Sequence, residues 1–145
     1  MNGNKIVICD IDGTIADLTH RLHYIQGETK DWDSFFAACG DDTPHEDVID
    51  LVRLIPHDMP IYLFSGRSDT TRAATEAWLE QNNVPYDQLR MRKAGDYRPD
   101  YEVKADMLRG LTPDDVWFIL DDRDQVVNMW RDKGFRVLQV ADGKF

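Results

Sequence analysis

The sequence predicts an α/β fold in which a central parallel sheet is flanked by helices. Short apolar runs recur along the chain, segments with helical spacing separate them, and polar residues directly follow several of the runs. A parallel strand is covered on both faces, so its sequence is a continuous apolar run. Alternation of such runs with helices favours a parallel sheet with right-handed crossovers. Ligands bind such sheets beyond the carboxyl ends of the strands, which makes the polar residues there candidates for a site.

The individual strands and helices can be placed in order along the chain. Thr43 is expected to be the N-cap of the first long helix, with Pro44 in its first turn and Glu46 closing a capping box. Gly134 is expected to end the last helix. The predicted strands cover residues 5–9, 59–64, 84–91, 116–120 and 135–140, and the later helices cover residues 70–82, 102–110 and 125–133. The predicted inner faces of the first two long helices comprise Val48, Leu51, Val52 and Ile55, and Ala74, Ala77, Trp78 and Gln81.

Residues 13–42 have no clean apolar period, which indicates an elaborated loop with a short helix near residues 33–39. We expect residues 17–43 to form a loop or, at most, a small cap insertion within a single domain that covers residues 1–145. A chain of this length is large enough to bury an ordinary core.

The composition limits the classes of function. The net charge is −10, from 27 acidic and 17 basic residues, whereas a general nucleic-acid binder would carry a basic face. An enzyme that acts on one end of a nucleic acid stays open, since a few local cations suffice there. Every apolar run is shorter than the roughly 20 residues that span a bilayer, and signal-peptide features are missing, so no membrane contact is expected. Cys9 and Cys39 lie in no zinc-binding pattern, which indicates reduced thiols and a cytoplasmic location.

Two aspartates directly follow the first predicted strand. Asp10 and Asp12 end the apolar run that begins at Ile6, and Gly13 allows the chain to turn sharply after them. Carboxylates this close together repel one another and require neutralisation, which a hard cation such as Mg²⁺ provides through oxygen ligands. The alternative is an Asp-Gly turn without chemistry, but later stretches of the chain supply the other parts of one site.

Further polar groups with complementary chemistry follow the later strands. Ser65-Gly66-Arg67 follows the second long strand, Lys104 lies in a predicted helix, and Asp121-Asp122 follows the fourth strand. One carboxylate can act as a nucleophile while another, two residues away, transfers protons. A hydroxyl and an ammonium can hold a phosphoryl group, and further carboxylates can hold Mg²⁺. Asp122 has an alternative role as a cap for the helix that follows it.

The order of these motifs resembles that of the haloacid dehalogenase (HAD) superfamily of phosphotransferases, which implies a Rossmann-like fold. The match consists of the DxDGT run at 10–14, the strand-end Ser65, Lys104 and the aspartate pair at 121–122, and it spans nearly the whole chain. A closer resemblance is to the 3′-phosphatase domain of phage polynucleotide kinase/phosphatase. It is carried by the stretches at 92–104, 120–131 and 139–143.

The resemblance implies a role for each matching residue. It implies that Asp10 is the nucleophile that forms an aspartyl-phosphate, and that Asp12 protonates the leaving oxygen and then activates water. It implies an Mg²⁺ cofactor, and the expected metal-site residues are Asp10, Asp12, Asp121 and Asp122. It implies that phosphate or substrate is bound by Ser65, Gly66, Lys104, Arg21, Arg67 and Asp100.

The resemblance favours a Mg²⁺-dependent phosphomonoesterase that removes 3′-phosphates from nucleic-acid ends. No GxxxxGK[ST] phosphate-binding loop occurs in the sequence, so a kinase or ligase is expected only as a separate partner. The alternative enzyme is a nucleotidase, which acts on nucleotides, or another small-molecule phosphatase. The alternative outside catalysis is a module that only recruits partners.

Two features of the sequence leave their function open. Residues 90–104 contain five basic and three acidic side chains, and this segment is either a solvated loop or a contact for backbone phosphates. Trp32 either packs within its loop or stacks on a base, whereas Trp78, Trp117 and Trp130 fit core positions. Substrate selectivity is expected to depend on residues 17–43, where the sequence departs from the phage domain.

Overall fold

The computed structural model describes residues 5–145 of the chain, and these contain seven strands and five α-helices. In chain order the strands are β1 (Ile6–Asp10), β2 (Ala16–Asp17), β3 (Thr43–Pro44), β4 (Ile61–Ser68), β5 (Gln88–Arg92), β6 (Val116–Asp121) and β7 (Val137–Gln139). The helices are α1 (Trp32–Ala37), α2 (Glu46–Arg53), α3 (Arg72–Gln81), α4 (Asp100–Met107) and α5 (Asp124–Asp132). Within residues 5–145, no helix combines the length and apolar character needed to cross a bilayer.

A five-stranded parallel sheet in the order β5-β4-β1-β6-β7 forms the centre of the fold. β1 is the middle strand, and its residues are all buried. Val7 and Cys9 pack on one face of the sheet against α2 and α3, while Ile6 and Ile8 pack on the other face against α4 and α5. Helices therefore cover both faces, which explains the continuous apolar runs. The predicted α/β class with a parallel sheet is confirmed.

The parallel arrangement brings the carboxyl ends of neighbouring strands to one edge of the sheet. Asp10 lies beside Phe64 of β4, and Cys9 lies beside Leu120 of β6, so β1 and β6 end level with each other, whereas β4 continues to Ser68. The residues that follow each strand are therefore close together in space.

Residues 17–43 leave and rejoin the main fold through a small antiparallel ladder. Ala16 pairs with Pro44, and Asp17 pairs with Thr43. A 3₁₀ turn at Thr19–Tyr24 and the helix α1 lie between these two strands. The short helix expected in this region is confirmed, and the ladder fixes both ends of the segment next to the sheet edge that carries the aspartates.

The structure corrects the predicted start of α2. Thr43 is part of the ladder with Asp17, so His45 is the N-cap residue of the helix, and its side chain makes no capping hydrogen bond. Leu51, expected on the inner face, is 43% exposed, and the buried residues of this helix are Ile49 and Val52. The residues of the capping-box pattern therefore include the short strand β3, and the helix begins only after it, at Glu46.

The inner face of α3 also differs from the prediction. Thr75, Trp78 and Leu79 are buried, whereas Ala74, Ala77 and Gln81 are exposed. Thr75 occupies the inner face because its hydroxyl accepts a hydrogen bond from the buried Arg67 at 3.0 Å. Apolar periodicity cannot indicate such a polar contact. Trp117, also expected in the core, is instead partly exposed near the start of β6.

Candidate active site

The first part of the site is the turn that follows β1. Asp10 is buried at the end of the strand, and its Oδ2 accepts a hydrogen bond from the Thr14 hydroxyl at 2.9 Å. Gly13 has a φ of +84°, a left-handed conformation that favours glycine. A Cβ atom on Gly13 would also overlap the carboxylate of Asp122. The glycine of the motif therefore allows the carboxylates of β1 and β6 to approach one another.

Three buried carboxylates, those of Asp10, Asp121 and Asp122, form a cluster in which one oxygen atom of each lies within 4.8 Å of the others. They converge because β1 and β6 are adjacent strands whose ends are level. Oxygen ligands with this much negative charge suit a hard divalent cation such as Mg²⁺. The cluster provides a ligand set of the right chemistry for such an ion.

Lys104, which extends from α4, supplies positive charge inside this cluster. Its buried ammonium lies 2.6 Å from Asp10 Oδ1 and 3.2 Å from Asp121 Oδ2. Burial alone would lower the pKa of Lys104, but the carboxylates of Asp10 and Asp121 outweigh burial and hold that pKa above its ordinary value. The lysine is therefore charged at neutral pH and can attract a phosphoryl oxygen to Asp10.

Trp130 holds the carboxylate of Asp121 in place. The tryptophan is fully buried in α5, and its Nε1–H donates to Asp121 Oδ2 at 3.2 Å. The other oxygen of Asp121 accepts from the backbone N–H of Asp122 at 2.9 Å. The sequence indicated Trp130 only as a core residue, because its spacing carries no information about this hydrogen bond.

We expect Lys104→Met to lower the free energy of unfolding by about 3–5 kcal/mol in excess chelator, because it leaves two buried carboxylates without their cation. Methionine keeps most of the side-chain volume, so the loss reports charge rather than packing. Urea denaturation of both variants measures it, with Lys133→Met on the exposed end of α5 as the control. Equal, small losses in the two variants would show that Lys104 does not neutralise the carboxylates.

Burial and mutual repulsion change the proton affinity of the cluster. Burial, together with the charge of Asp121, raises the pKa of Asp10 well above its ordinary value, and the same two causes raise the pKa of Asp122. A group whose pKa is raised by folding favours the folded state most at low pH, and this contribution is lost as pH rises through the raised value. A divalent cation at neutral pH replaces those protons as the source of countercharge.

We expect the affinity for Mg²⁺ to fall as pH is lowered through the raised pKa values of Asp10 and Asp122, because protons then compete for the same oxygens. Calorimetric titrations with Mg²⁺ at about pH 7.5 and about pH 5 measure this. Two buffers with different enthalpies of ionisation reveal proton release on binding. An affinity that is unchanged between the two pH values, with no proton release, would contradict a metal site at this cluster.

Asp12 lies outside the carboxylate cluster and belongs to a second network. Its Oδ1 accepts hydrogen bonds from Arg21 Nη2 at 2.8 Å and from Arg67 Nη2 at 2.7 Å. Burial would raise the pKa of Asp12, but the guanidinium groups of Arg67 and Arg21 outweigh burial and lower that pKa. Its side chain keeps 25% of its surface exposed, toward the cleft. Asp12 is therefore an ionised, well-oriented carboxylate beside the nucleophile candidate Asp10.

The two arginines lie behind Asp12 and do not line the cleft. Arg21 and Arg67 are fully buried, and both also donate to Asp42 Oδ2, at 2.7 Å and 3.0 Å. The resemblance placed them around the scissile phosphate, whereas in the structure two carboxylates share their charge. They hold Asp12 in position, and Asp42 on the far side completes the network.

Asp42 is a site residue that sequence reasoning missed. It is buried, and it also accepts from His20 Nε2 at 2.7 Å and from Arg21 Nε at 2.8 Å. No motif marks it, because it lies in the irregular segment before β3. Two buried arginines beside one aspartate require a second anion, but the burial of Arg21 and Arg67 is known only from the structure, so the sequence carried no signal for Asp42.

Ser65 and Gly66, within β4, and Asp100, at the start of α4, form another side of the site. Ser65 is buried, and its Oγ accepts from the backbone N–H of Arg67 at 3.1 Å. A Cβ atom on Gly66 would overlap the carboxylate of Asp100, so a side chain at this position would displace that carboxylate. Asp100 in turn accepts from Arg92 Nη2 at 2.7 Å. Among these residues, Gly66 and Asp100 line the cleft.

The cleft above the carboxylates has a volume of about 890 Å³ and contains both expected catalytic aspartates. Five of the expected site residues line it, namely Asp10, Asp12, Lys104, Asp121 and Asp122. Arg92 and Arg123 also line it, and both contact Asp100, Arg123 through its Nη1 at 3.4 Å. These two arginines lay in stretches that resembled the phage domain but were not singled out as site residues.

Comparison with known proteins identifies the family. The model of the polynucleotide kinase PNKP phosphatase domain matches residues 4–145. A protein of Autographa californica nuclear polyhedrosis virus, described provisionally as a bifunctional polynucleotide kinase/RNA ligase, is 34% identical over 135 residues, which are 88% of this chain and 18% of the viral protein. In the structure of the Pnkp1/Rnl/Hen1 RNA repair complex, a chain superposes with a TM-score of 0.84 and 32% identity, over 98% of this chain and 44% of that one.

A more distant solved structure shares the fold. L-2-haloacid dehalogenase from Xanthobacter autotrophicus superposes with a TM-score of 0.64 at 16% identity, covering 94% of this chain and 77% of that one. The chain spans less than half the length of the viral protein and of the RNA repair chain that it matches. Together with the strand-end aspartates and the buried lysine, the family match shows that the chain belongs to the PNKP phosphatase domain family of the HAD superfamily and is a phosphatase.

Proposed function

We propose that the chain removes 3′-phosphate groups from nucleic-acid ends in a Mg²⁺-dependent reaction that passes through an aspartyl-phosphate on Asp10. The observation that carries this proposal is the position of Asp10. It lies between the ammonium of Lys104 and the carboxylates of Asp121 and Asp122, with Asp12 beside it at the same cleft. The family match supports phosphatase chemistry at this position.

In the first step, a carboxylate oxygen of Asp10 attacks phosphorus and the bond from phosphorus to the 3′-oxygen breaks. Asp12 donates a proton to the leaving oxygen, which departs as a hydroxyl. Asp12 is ionised in the free protein because Arg21 and Arg67 stabilise its anion. A bound phosphate dianion next to it raises its pKa, so the proton is taken up as the substrate binds.

In the second step, water attacks the phosphorus of the aspartyl-phosphate and the bond to Asp10 breaks. Asp12, now deprotonated, accepts a proton from this water, and inorganic phosphate leaves with Asp10 restored as a carboxylate. Lys104 neutralises the oxygens of the phosphoryl group in both steps. The two arginines keep Asp12 directed at the reacting oxygen throughout.

The carboxylates of Asp10, Asp121 and Asp122 are the residues that would hold Mg²⁺. When bound, the ion supplies positive charge against the oxygens of the transferring phosphoryl group. Asp12, whose carboxylate is occupied by Arg21 and Arg67, contributes to the chemistry rather than to this set of carboxylate ligands. Activity should therefore be lost in excess chelator, and Mg²⁺ should serve better than Ca²⁺, which prefers a larger coordination shell.

A nucleic-acid end is supported by the relatives and by the rim of the cleft. One relative is described as a polynucleotide kinase/RNA ligase, and another belongs to an RNA repair complex. In a chain with a net charge of −10, the lining of the cleft includes four cations, Arg92, Lys93, Arg98 and Arg123, and all but Lys93 pair with aspartates of the same lining. Cations placed there can contact the backbone phosphate next to the scissile one.

Phosphate release tests the proposal. We expect hydrolysis of 3′-phosphorylated DNA or RNA oligomers with a higher kcat/KM than 5′-phosphorylated oligomers or mononucleotides, and an advantage that shrinks as salt rises. Lys93→Ala should reduce the advantage, whereas the matched change Lys133→Ala, on the exposed end of α5 away from the cleft, should not. Equal or better use of mononucleotides, without a salt effect, would instead assign the chain as a nucleotidase.

The proposal also covers the role of residues 17–43, the partner activities and the cellular location. We assign residues 17–43 as a small cap, because a two-stranded ladder closes both ends of this segment beside the cleft. Kinase and ligase activities, which the relatives' descriptions indicate, are supplied by other parts of a longer protein or by partner chains. Both cysteines are free and buried, which is compatible with a cytoplasmic location.

A further inference from the structure

Residues 17–43 contribute a mainly apolar wall to the cleft. The wall consists mainly of aliphatic and aromatic side chains, which line the same cleft as Asp10 and Asp12. Trp32 is 47% exposed there, and Phe36, one helical turn further along α1, is partly buried. The other main members of this wall are Leu18, Leu22 and Ile25.

The aromatic residues of this wall are held in a fixed arrangement. The rings of Trp32 and Phe36 lie 5.9 Å apart with an angle of 28° between their planes, so the two rings stack and Phe36 fixes the orientation of the exposed Trp32 ring. Phe35 is buried beneath them and meets Trp32 edge-on at 5.6 Å. The guanidinium of Arg21 lies 4.4 Å from the centre of the Phe35 ring, and this same arginine donates to Asp12. Contacts through Phe35 and Arg21 therefore connect the Trp32 ring to Asp12, the proposed acid–base group.

The occupant of this surface follows from its position. A protein partner seated on Trp32 would fill the cleft in front of Asp10 and block the phosphate ester. The leaving group of a 3′-phosphorylated end is a nucleoside, and its base is the flat group nearest the scissile bond. Stacking of a base on an exposed aromatic ring is a common source of affinity for unpaired nucleotides. Lys30, whose ammonium lies 6.0 Å from the Trp32 ring, adds positive charge beside this surface.

On the basis of the proposed function, we propose that Trp32 and Phe36 form the binding surface for the base of the terminal nucleotide whose phosphate is removed. The wall then makes the rate of hydrolysis depend on the presence of that base, while cations that line the same cleft contact the preceding phosphate. Residues 17–43 therefore distinguish a nucleotide end from a small phosphate ester, although they supply neither the nucleophile nor the carboxylate cluster.

Two 3′-phosphorylated oligomers that differ only at the last nucleotide test this assignment. One carries a normal base there, and the other carries a stable abasic sugar. For the wild-type chain with Mg²⁺, we expect kcat/KM to be about tenfold higher for the oligomer with the base. This ratio should approach one in Trp32→Ala and should largely persist in Trp32→Phe, which keeps an aromatic ring.

Trp117→Ala is the matched control. Trp117 is also a partly exposed tryptophan, but it lies near the start of β6, outside the cleft, so its removal should leave the wild-type ratio. A wild-type ratio of one, a ratio retained in Trp32→Ala, or an equal loss in Trp117→Ala would overturn the base-binding role and leave the proposed function standing. Hydrolysis of a chromogenic phosphate ester with no phosphate release from either oligomer would instead overturn the proposed function.

Discussion

The Asp10→Asn variant should lose at least about 10⁴-fold in kcat/KM while remaining folded, since removal of a covalent nucleophile eliminates the reaction path. An amide is neither a competent nucleophile nor an anionic ligand for Mg²⁺. Burial raises the pKa of Asp10, and its neighbours Asp121 and Asp122 are also acidic, so a neutral amide removes repulsion from the cluster. The variant should therefore be at least as stable as the wild-type chain in excess chelator.

Phosphate release and thermal unfolding, measured on the same preparations, separate catalysis from folding in this variant. Asp132→Asn makes the same chemical change at an exposed position near the end of α5 and should match the wild-type chain in both measurements. Comparable turnover by a folded Asp10→Asn protein would rule out a covalent intermediate on this residue.

The Asp12→Asn variant should lose about 10²–10⁴-fold in rate, the usual contribution of a general acid–base group. Because Asp12 serves as acid in the first step and as base in the second, the amide slows both. Arg21 and Arg67 lose one of the two anions that share their charge, but Asp42 still pairs with both. The change should therefore affect the rate much more than the fold or the binding of substrate.

Single-turnover kinetics measure the loss, and equilibrium binding of a 3′-phosphorylated oligomer in chelator shows whether the substrate site survives. Asp132→Asn again serves as the matched control. A rate reduction of less than tenfold would limit Asp12 to a structural partner of the arginines.

The strand-end chemistry could be predicted because a parallel sheet converts sequence position into spatial position. Asp10 and Asp121 each end an apolar run, and adjacent parallel strands bring their carboxylates together. Lys104 could be added because the order of motifs resembled that of a known superfamily. The fold class followed from the same apolar runs, since strands covered on both faces leave an unambiguous pattern.

The second network could not be predicted because it depends on contacts between distant polar groups. Arg21 and Asp42 lie in a segment without periodicity, where sequence gives no indication of which side chains become buried. Arg67 lies in a recognisable motif, but its burial behind Asp12 depends on Thr75 of α3 and on Asp42. The helix face of α3 was misjudged for the same reason, because a hydroxyl with a buried partner replaced an apolar residue.

The close backbone approach at Gly143 could not be predicted from the sequence either. A Cβ atom on Gly143 would overlap the backbone of Asp122, so the segment after β7 packs directly against a residue of the carboxylate cluster. The sequence presented this glycine only as part of a resemblance to the phage domain. Its close approach to Asp122 becomes visible only when the chain has folded.

The most direct test of the account is to follow the phosphate itself. A 3′-end ³²P-labelled oligomer is mixed with excess protein and Mg²⁺, the reaction is quenched over a single turnover, and labelled protein is digested into peptides. We predict that label first joins the peptide containing Asp10 and then passes into inorganic phosphate, that it persists longer in Asp12→Asn, and that it is missing in Asp10→Asn. Complete release of inorganic phosphate with no labelled protein at any time, in either the wild-type chain or Asp12→Asn, would contradict the mechanism.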